Sequence, residues 1–352
     1  MKSRLCLSSF GSTAAIFKST DNPARYSFPA SMDGVRLRGS ASLGRAARWL
    51  LILLLLPGAK LSGQTPGPEA LQQIRITHPP VAGGQLTGVA WDGGAWVAVG
   101  SRSTILRSED GLEWQPQAAK TEVCFRSVTS GNGTLLALTH CSTAMISRDG
   151  LQWERQGCPG LDVRSMDFGR RMWVGVGNSG NIVVSSNAAT WTPMAMSSSE
   201  SLLCVRYAGD RFVAVGARGA IVSSTDGRQW KPSDSKTTRS LHGLAYGEGI
   251  WVAVGCHGVV VTSADGEHWT PRESGTTESL RAVAFGGGTF LAVGWNGCLL
   301  ASRDARDWRS LPSSEVNLCD VAYGCDHFVA VGQRNTILLV GQDLEGHNLS
   351  AQ

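Results

Sequence analysis

The chain has 352 residues, of which 42% are hydrophobic, and a formal net charge of +4. Residues 1–63 hold nine Lys or Arg and two Asp or Glu, so the remaining chain has 23 basic and 26 acidic residues and a net charge of −3. A body so close to neutrality excludes a protein that binds nucleic acid through its overall charge, and we expect no nucleic acid partner.

Residues 1–63 are predicted to be a leader. Two arginines precede an apolar run at 49–56, which is far too short to cross a bilayer, since that takes about 20 residues. Such a run is typical of the central part of a secretory signal, so we expect an exported protein, periplasmic or secreted, whose translation starts at Met1 or Met32. The alternative is association with a membrane through an uncleaved leader, without a stable membrane span.

The rest of the chain is spaced by a phrase of seven residues, Ser-x-Asp-Gly-x-x-Trp, which occurs six times with Asn187-Ala188 and Ala305 as departures. Its tryptophans are 39, 38, 39, 39 and 39 residues apart, and a fixed period near 40 indicates a repeat architecture. The shared side chains are Ser108, Asp110, Trp114, Ser147, Asp149, Trp153, Ser185, Trp191, Ser224, Asp226, Trp230, Ser263, Asp265, Trp269, Ser302, Asp304 and Trp308.

Each repeat contains four short runs of β-branched, aromatic and small apolar residues, separated by Gly, Asn, Asp and Ser. In the fourth repeat the strands are predicted at 203–208, 212–216, 220–224 and 228–232. Four-stranded units repeated about every 39 residues predict an all-β fold, a seven-bladed β-propeller. The phrase is predicted to form the hairpin between the third and fourth strands of a blade. Its role is then structural, with Asp226 accepting turn amides and Trp230 packing on the neighbouring sheet.

The two ends of the repeat region have complementary deficits. The seventh repeat stops at residue 340 without the phrase and lacks a fourth strand, whereas residues 72–77 form a strand-like stretch outside any repeat. We predict that 72–77 completes the last blade, with Ile76 in the place that Trp fills elsewhere, because this pairing covers two exposed sheet edges. The predicted domains are a leader at 1–63, a linker at 64–71, a propeller at 72–341 and a polar tail at 342–352.

The phrase at residues 212–230, Phe-Val-Ala-Val-Gly-x-x-Gly-x-Ile-x-x-Ser-x-Asp-Gly-x-x-Trp, resembles the Asp-box (BNR-like) repeat of sialidases, sortilin-type receptors and photosystem II stability/assembly factors. It is most similar to the last group, over roughly residues 70–341. The spacing from Asp to Trp is one residue shorter than in the usual box. The resemblance implies a propeller scaffold.

Two sets of equivalent positions are predicted to lie on the face opposite the repeated phrase. The first set lies two residues after the Val-Gly pair, or its equivalent, in each repeat: Arg102, Cys141, Ser179, Arg218, His257, Asn296 and Arg334. The second set lies near the channel mouth: Thr87, Arg126, Arg164, Leu203, His242, Arg281 and Cys319. Their basic members are the candidate binding residues for a protein segment or an acidic ligand, because arginine forks suit carboxylates and phosphates. The alternative is that each arginine is solvated separately. The candidates are Arg102, Arg126, Arg164, Arg218, His242, His257, Arg281 and Arg334.

No catalytic residue is predicted. A sialidase-like site needs three arginines with a Tyr–Glu pair, and although Arg126, Arg164 and Arg281 suit the first requirement, the tyrosines within the repeats share one inner-strand core position. Asp167 and Asp320 are the clearest carboxylates in inner strands, and the even repeat spacing leaves no long loop for a catalytic pocket. We therefore expect a non-enzymatic binding or scaffold module; the alternative is a glycan-acting propeller hydrolase.

The remaining chemistry is structural. The chain has neither Cys-x-x-Cys nor His-x-x-x-His, so we predict no metal site and no cofactor. Export permits disulfides, and we expect one among Cys124, Cys141 and Cys158, although the sequence does not fix the connectivity. We expect a monomer.

Overall fold

The computed structural model describes the backbone of residues 72–77 and all of residues 84–119, 122–140, 143–157, 162–194, 199–312 and 315–341. The predicted leader, linker and tail lie outside the described residues. The described chain forms seven four-stranded antiparallel sheets, with short 3-10 turns at Asn178–Gly180, Ala217–Gly219, Cys256–Gly258 and Trp295–Gly297. This confirms the predicted all-β, seven-bladed β-propeller.

Each blade runs from an inner strand at the channel to an outer strand. The strands, blade by blade, are β2 (Leu86–Trp91), β3 (Trp96–Gly100), β4 (Ile105–Ser108) and β5 (Gln115–Pro116); β6 (Phe125–Gly131), β7 (Thr134–Thr139), β8 (Thr143–Ser147) and β9 (Glu154–Gly157); β10 (Val163–Gly169), β11 (Met172–Gly177), β12 (Ile182–Ser185) and β13 (Thr192–Met194); β14 (Leu202–Ala208), β15 (Arg211–Gly216), β16 (Ile221–Ser224) and β17 (Lys231–Ser233); β18 (Leu241–Gly247), β19 (Ile250–Gly255), β20 (Val260–Ser263) and β21 (Thr270–Arg272); β22 (Leu280–Gly286), β23 (Thr289–Gly294), β24 (Leu299–Ser302) and β25 (Arg309–Ser310); and β26 (Leu318–Gly324), β27 (His327–Gly332) and β28 (Ile337–Gly341), with β1 (Gln72–Thr77) as the outer strand of blade seven.

The ring is closed by pairing the start of the propeller with its end. Strand β1 runs antiparallel to β28, from Thr77 opposite Ile337 to Gln72 opposite Gly341. This confirms the predicted closure, in which β1 pairs with the outer edge of β28 and becomes the edge strand of blade seven.

The predicted place of Ile76 was wrong. Ile76 lies opposite Leu338, which is the position of Pro232 in blade four, so the backbone position equivalent to Trp230 falls on Ile74, at a bulge in β1. The sequence count assumed 13 or 14 residues between this position and the centre of the next inner strand, whereas Ile74 precedes Val89 by 15 residues.

The repeated phrase folds into a turn held by its own side chains. In blade four the Ser224 hydroxyl donates to Asp226 Oδ1 at 2.9 Å, and the same oxygen accepts the amides of Arg228 and Gln229 at 2.8 Å. Those amides lower the pKa of Asp226. Asn187 Oδ1 accepts the equivalent two amides in blade three, which explains why the turn survives without its carboxylate.

This turn also corrects a predicted boundary. The outer strand of blade four begins at Lys231 and not at 228, because the amides of Arg228 and Gln229 bond to Asp226 and are not available to the sheet ladder.

The core lies between neighbouring blades. Seven clusters of buried apolar side chains each join two adjacent blades, including blade seven with blade one. The tryptophan of each repeated turn joins the cluster shared with the preceding blade, as Trp114 does with Val329 and Leu339 of blade seven. Each blade is therefore stabilised chiefly by its neighbours.

Every inner strand carries a β-bulge near its start. In blade five Leu241 lies opposite Gly255 and the pairing resumes at Gly243, so His242 has no partner across the sheet. In this blade the position opposite the bulge requires a glycine, since a Cβ on Gly255 would lie 2.1 Å from the carbonyl oxygen of Ser240. The bulge turns one side chain per blade toward the channel mouth.

Gly255→Ala is expected to destabilise the propeller by about 1–3 kcal/mol, because the added methyl group has no room unless the backbone shifts. Guanidinium chloride unfolding followed by tryptophan fluorescence measures this change. Gly157→Ala is the control, since a Cβ there meets nothing within 4 Å, and an equal midpoint for the two variants would contradict the proposed close contact.

Deletion of residues 65–78 is expected to lower the melting temperature of the whole propeller, since it exposes β28 and opens the ring between blades seven and one. Thermal melting followed by circular dichroism checks this, and an unchanged melting curve would show that the β1–β28 pairing does not contribute to stability.

Candidate functional site

The bulge residues of all seven blades meet at one mouth of the channel. They line a cavity of about 220 Å³ on the propeller axis. Because each bulge residue has no partner across its sheet, its side chain is free to point along the axis. The structure thus brings together the seven residues of the second predicted set: Thr87, Arg126, Arg164, Leu203, His242, Arg281 and Cys319.

A wider cavity of about 1080 Å³ opens above this mouth, and we call it the arginine cavity. Four guanidinium groups line it, those of Arg102, Arg126, Arg164 and Arg281, and Glu122 is the one carboxylate in its described lining. Since the propeller body has a small net negative charge, this concentration of positive charge is local and will attract anions to one face.

A hydrogen-bond network orders two of the arginines. Arg126 Nη2 lies 3.6 Å from Asp162 Oδ1 and 3.2 Å from His140 Nδ1. Arg164 Nε donates to Asn178 Oδ1, and Asn178 Nδ2 donates to Asp162. Burial and the neighbouring Arg164 lower the pKa of Arg126, and Asp162 opposes them. One carboxylate therefore steadies two guanidinium groups and leaves the site with excess positive charge.

The two histidines of the site are neutral at physiological pH. Burial and the Arg281 charge lower the pKa of His242 to about 4, and burial together with Arg126 lowers the pKa of His140. His242 Nδ1 lies 3.5 Å from Arg281 Nη1, and its Nε2 lies 3.1 Å from Cys256 Sγ. Because a guanidinium group only donates hydrogen bonds, Nδ1 accepts and the imidazole proton belongs on Nε2. The positive charge of the site thus comes from arginine alone.

The first predicted set does not join this cavity as a group. Its residues lie at hairpin tips, where Arg218, His257 and Arg334 adopt a φ of 55–56°. Arg218 extends into solvent with its side chain 79% exposed, 3.6 Å from Glu200. Of this set, Arg102 lines the arginine cavity, whereas Arg218, His257 and Arg334 do not, and Cys141 lies outside the described residues.

Sequence reasoning missed a charged group inside the channel. Arg206 lies deep in the inner strand of blade four, and although burial alone would lower its pKa, Cys204, Asp167 and Asp320 outweigh burial and raise it. A basic residue within the apolar strand Leu202–Ala208 was the available signal. Arg206 is a counter-ion for the two carboxylates that the sequence marks in inner strands.

Those two carboxylates join neighbouring blades. Asp320 Oδ2 accepts the amide of Val89 in blade one at 3.0 Å, and Asp167 Oδ2 accepts the amide of Tyr207 in blade four at 2.7 Å. Burial raises the pKa of Asp320 to about 6, against the opposing effect of Arg206. The Oδ2 atoms of Asp320 and Asp167 therefore each bond to a neighbouring blade and help to hold the ring together.

The tyrosines of the inner strands belong to the core, as predicted. Tyr207, Tyr246 and Tyr323 pack on an aromatic ring of the next strand at centroid distances of 4.7–5.0 Å. They pack in the inter-blade clusters, and none of them lines the arginine cavity.

Six cysteines of the described chain are free thiols, Cys124 among them. Because Cys124 is free, the predicted disulfide among Cys124, Cys141 and Cys158 is limited to a pairing of Cys141 with Cys158. Both of these residues lie outside the described ranges, so this pairing stays a prediction. In the described ranges, no group of three or more His, Cys, Asp or Glu side chains is placed to hold a metal ion. No helix there has the length and apolar character to cross a membrane.

Comparisons with known proteins establish the fold. No family model and no curated protein matches the chain. Among solved structures, YCF48 bound to D1 peptide is 17% identical, with a TM-score of 0.64 over 80% of this chain and 100% of its own. YCF48 from Cyanidioschyzon merolae is 18% identical, with a TM-score of 0.63 over 76% and 99%. A catalytically inactive virginiamycin B lyase from Staphylococcus aureus, solved with quinupristin, is 10% identical, with a TM-score of 0.68 over 77% and 98%.

Asp320→Asn is expected to change how stability depends on pH. The Asp320 carboxyl group loses its proton near pH 4 in the unfolded chain and near pH 6 in the folded protein. The free energy of unfolding therefore falls as the pH rises from about 4 to about 6. The asparagine can still accept the Val89 amide and lacks this dependence, so the variant should gain in melting temperature relative to the parent from pH 4 to pH 6.

Scanning fluorimetry between pH 4 and pH 8 measures this difference. Asp226→Asn is the control, because Asn187 shows that the turn accepts asparagine and the Asp320 effect should persist in it. Parallel curves for Asp320→Asn and the parent would contradict the assignment.

Proposed function

We propose that this protein is a non-enzymatic, exported β-propeller that binds an acidic protein segment in the arginine cavity. The observation that carries the proposal is the meeting of four guanidinium groups around about 1080 Å³ with one lining carboxylate, Glu122. Guanidinium forks bind carboxylates through paired, charge-assisted hydrogen bonds. The carboxylates of an acidic segment would neutralise the positive charge of the arginines that Asp162 leaves uncompensated.

Two further observations support a protein ligand. The size of the cavity exceeds what most small ligands require. A solved propeller with the same fold was captured with a peptide, although 17% identity shows the fold alone. We also propose that the six repeated turns are Asp-boxes and that the run at 49–56 directs export.

The hydrolase alternative has less support. Most glycoside hydrolases use two carboxyl groups that face one substrate, and a sialidase-like site would need a tyrosine, whereas Tyr207, Tyr246 and Tyr323 pack in the core. The described linings of the two cavities include Glu122 and Asp320, but these lie in different cavities, and Asp320 accepts two backbone amides. A binding role needs only the arginines.

The triple variant Arg126→Ala, Arg164→Ala and Arg281→Ala is expected to bind a fluorescein-labelled hexaglutamate peptide at least about a hundredfold more weakly at low salt, because each lost charge-assisted hydrogen bond contributes roughly 1.5–3 kcal/mol. The parent's affinity should fall as salt rises. Fluorescence anisotropy titrations measure both effects.

The matched control removes three arginines from the opposite face, Arg148, Arg228 and Arg306, which are exposed on the repeated turns. This control should bind as the parent does. Equal affinities for the parent and the cavity variant would mean that the arginine cavity is only a solvated surface.

A further inference from the structure

Among the described residues, one large apolar side chain is exposed on the face of the propeller that carries the arginine cavity, outside the lining of that cavity. Trp295 begins the 3-10 turn at the tip of blade six, and half of its surface is open to solvent. Single exposed apolar residues are common, so exposure alone assigns no role. The position of Trp295 in the repeat carries the inference.

Trp295 occupies a position whose equivalents contact the bulge residues. Its amide donates to the carbonyl of Ser279, as the amides of His140, Asn178 and Cys256 do to the matching carbonyls of their blades. In these three blades the side chain at this position lies within hydrogen-bond distance of the bulge residue 14 positions earlier, in the pairs Arg126–His140, Arg164–Asn178 and His242–Cys256. The matching pair in blade six is Arg281 and Trp295.

The fold does not require an aromatic ring at this tip. Ala217 holds the same place in blade four, with the same 3-10 turn and the same amide bond, to Ser201. A tryptophan that is half exposed and unnecessary for the turn is available for a ligand.

We infer that Arg281 and Trp295 form a subsite that recognises a carboxylate together with a neighbouring aromatic side chain of an acidic peptide. This inference rests on the proposed function. The guanidinium group of Arg281 pairs with the carboxylate, and the indole offers an apolar face for an offset-stacked ring. A cationic side chain is disfavoured on this indole, because Arg281 repels it.

A peptide fits this lining better than an anionic saccharide. The hydroxyl groups of a sugar donate as well as accept hydrogen bonds, whereas guanidinium groups only donate and Glu122 is the single charged acceptor in the described lining of the arginine cavity. The apolar residues Val123 and Phe125 also line this cavity.

The test compares two labelled peptides, Glu-Glu-Glu-Phe and Glu-Glu-Glu-Ala, by anisotropy at fixed salt. The parent should prefer the phenylalanine peptide by roughly fivefold to tenfold, the fold-change that an aromatic pair supplies. Trp295→Ala, which imitates blade four, should bind both peptides as the parent binds the alanine peptide, and Trp295→Phe should keep part of the preference.

The outcomes separate the two proposals. If the parent binds both peptides equally and the triple arginine variant binds neither, the subsite is overturned and the proposed function stands. If the triple variant binds as the parent does, the proposed function fails and the subsite fails with it. Tighter, Trp295-dependent binding of an oligogalacturonate would overturn the peptide assignment in favour of an anionic saccharide.

Discussion

A close contact between a glycine and a carbonyl group lies opposite the bulge in six of the seven blades and shapes the site. In these blades the second strand ends at a glycine whose Cβ, if present, would lie 2.0–2.2 Å from the carbonyl oxygen of the residue just before the inner strand. Thr139 takes this place in blade two, where its hydroxyl bonds to Thr143. The bulge, which is present in all seven blades, releases one side chain per blade from the ladder, and the circular arrangement directs all seven to one cavity.

The ring thereby places like charges together at a position where they are partly desolvated. Burial and the neighbouring charge of Arg164 lower the pKa of Arg126. Asp162 and Asn178 hold the pair in place but do not neutralise it. Such a site is preorganised for an anion, since binding relieves repulsion that the fold has already imposed. The inter-blade clusters and the Asp320–Val89 bond supply the rigidity that this arrangement needs.

The sequence predicts the scaffold better than the site, for physical reasons. Six regularly spaced tryptophans and one further repeat without a tryptophan are enough to count the blades, and the missing fourth strand of that last repeat is enough to place β1. The position of Ile74 and the start of β17 depend on a bulge and on side chains that bond to amides, and spacing alone does not show either. The two basic sets look alike in sequence, yet the bulge residues face the axis while Arg218 and Arg334 extend from left-handed tips. The role of Arg206 is not evident from the sequence because its two carboxylate partners, Asp167 and Asp320, come from blades three and seven.

Hydrogen–deuterium exchange of the whole chain, with and without an acidic peptide, tests the central claim most directly. The account predicts that protection on binding is confined to the segments around the bulges, at residues 122–127, 162–166 and 279–283, and is absent from the repeated turns on the opposite face. Protection at the repeated turns, or no change at the bulge segments under saturating peptide, would contradict it.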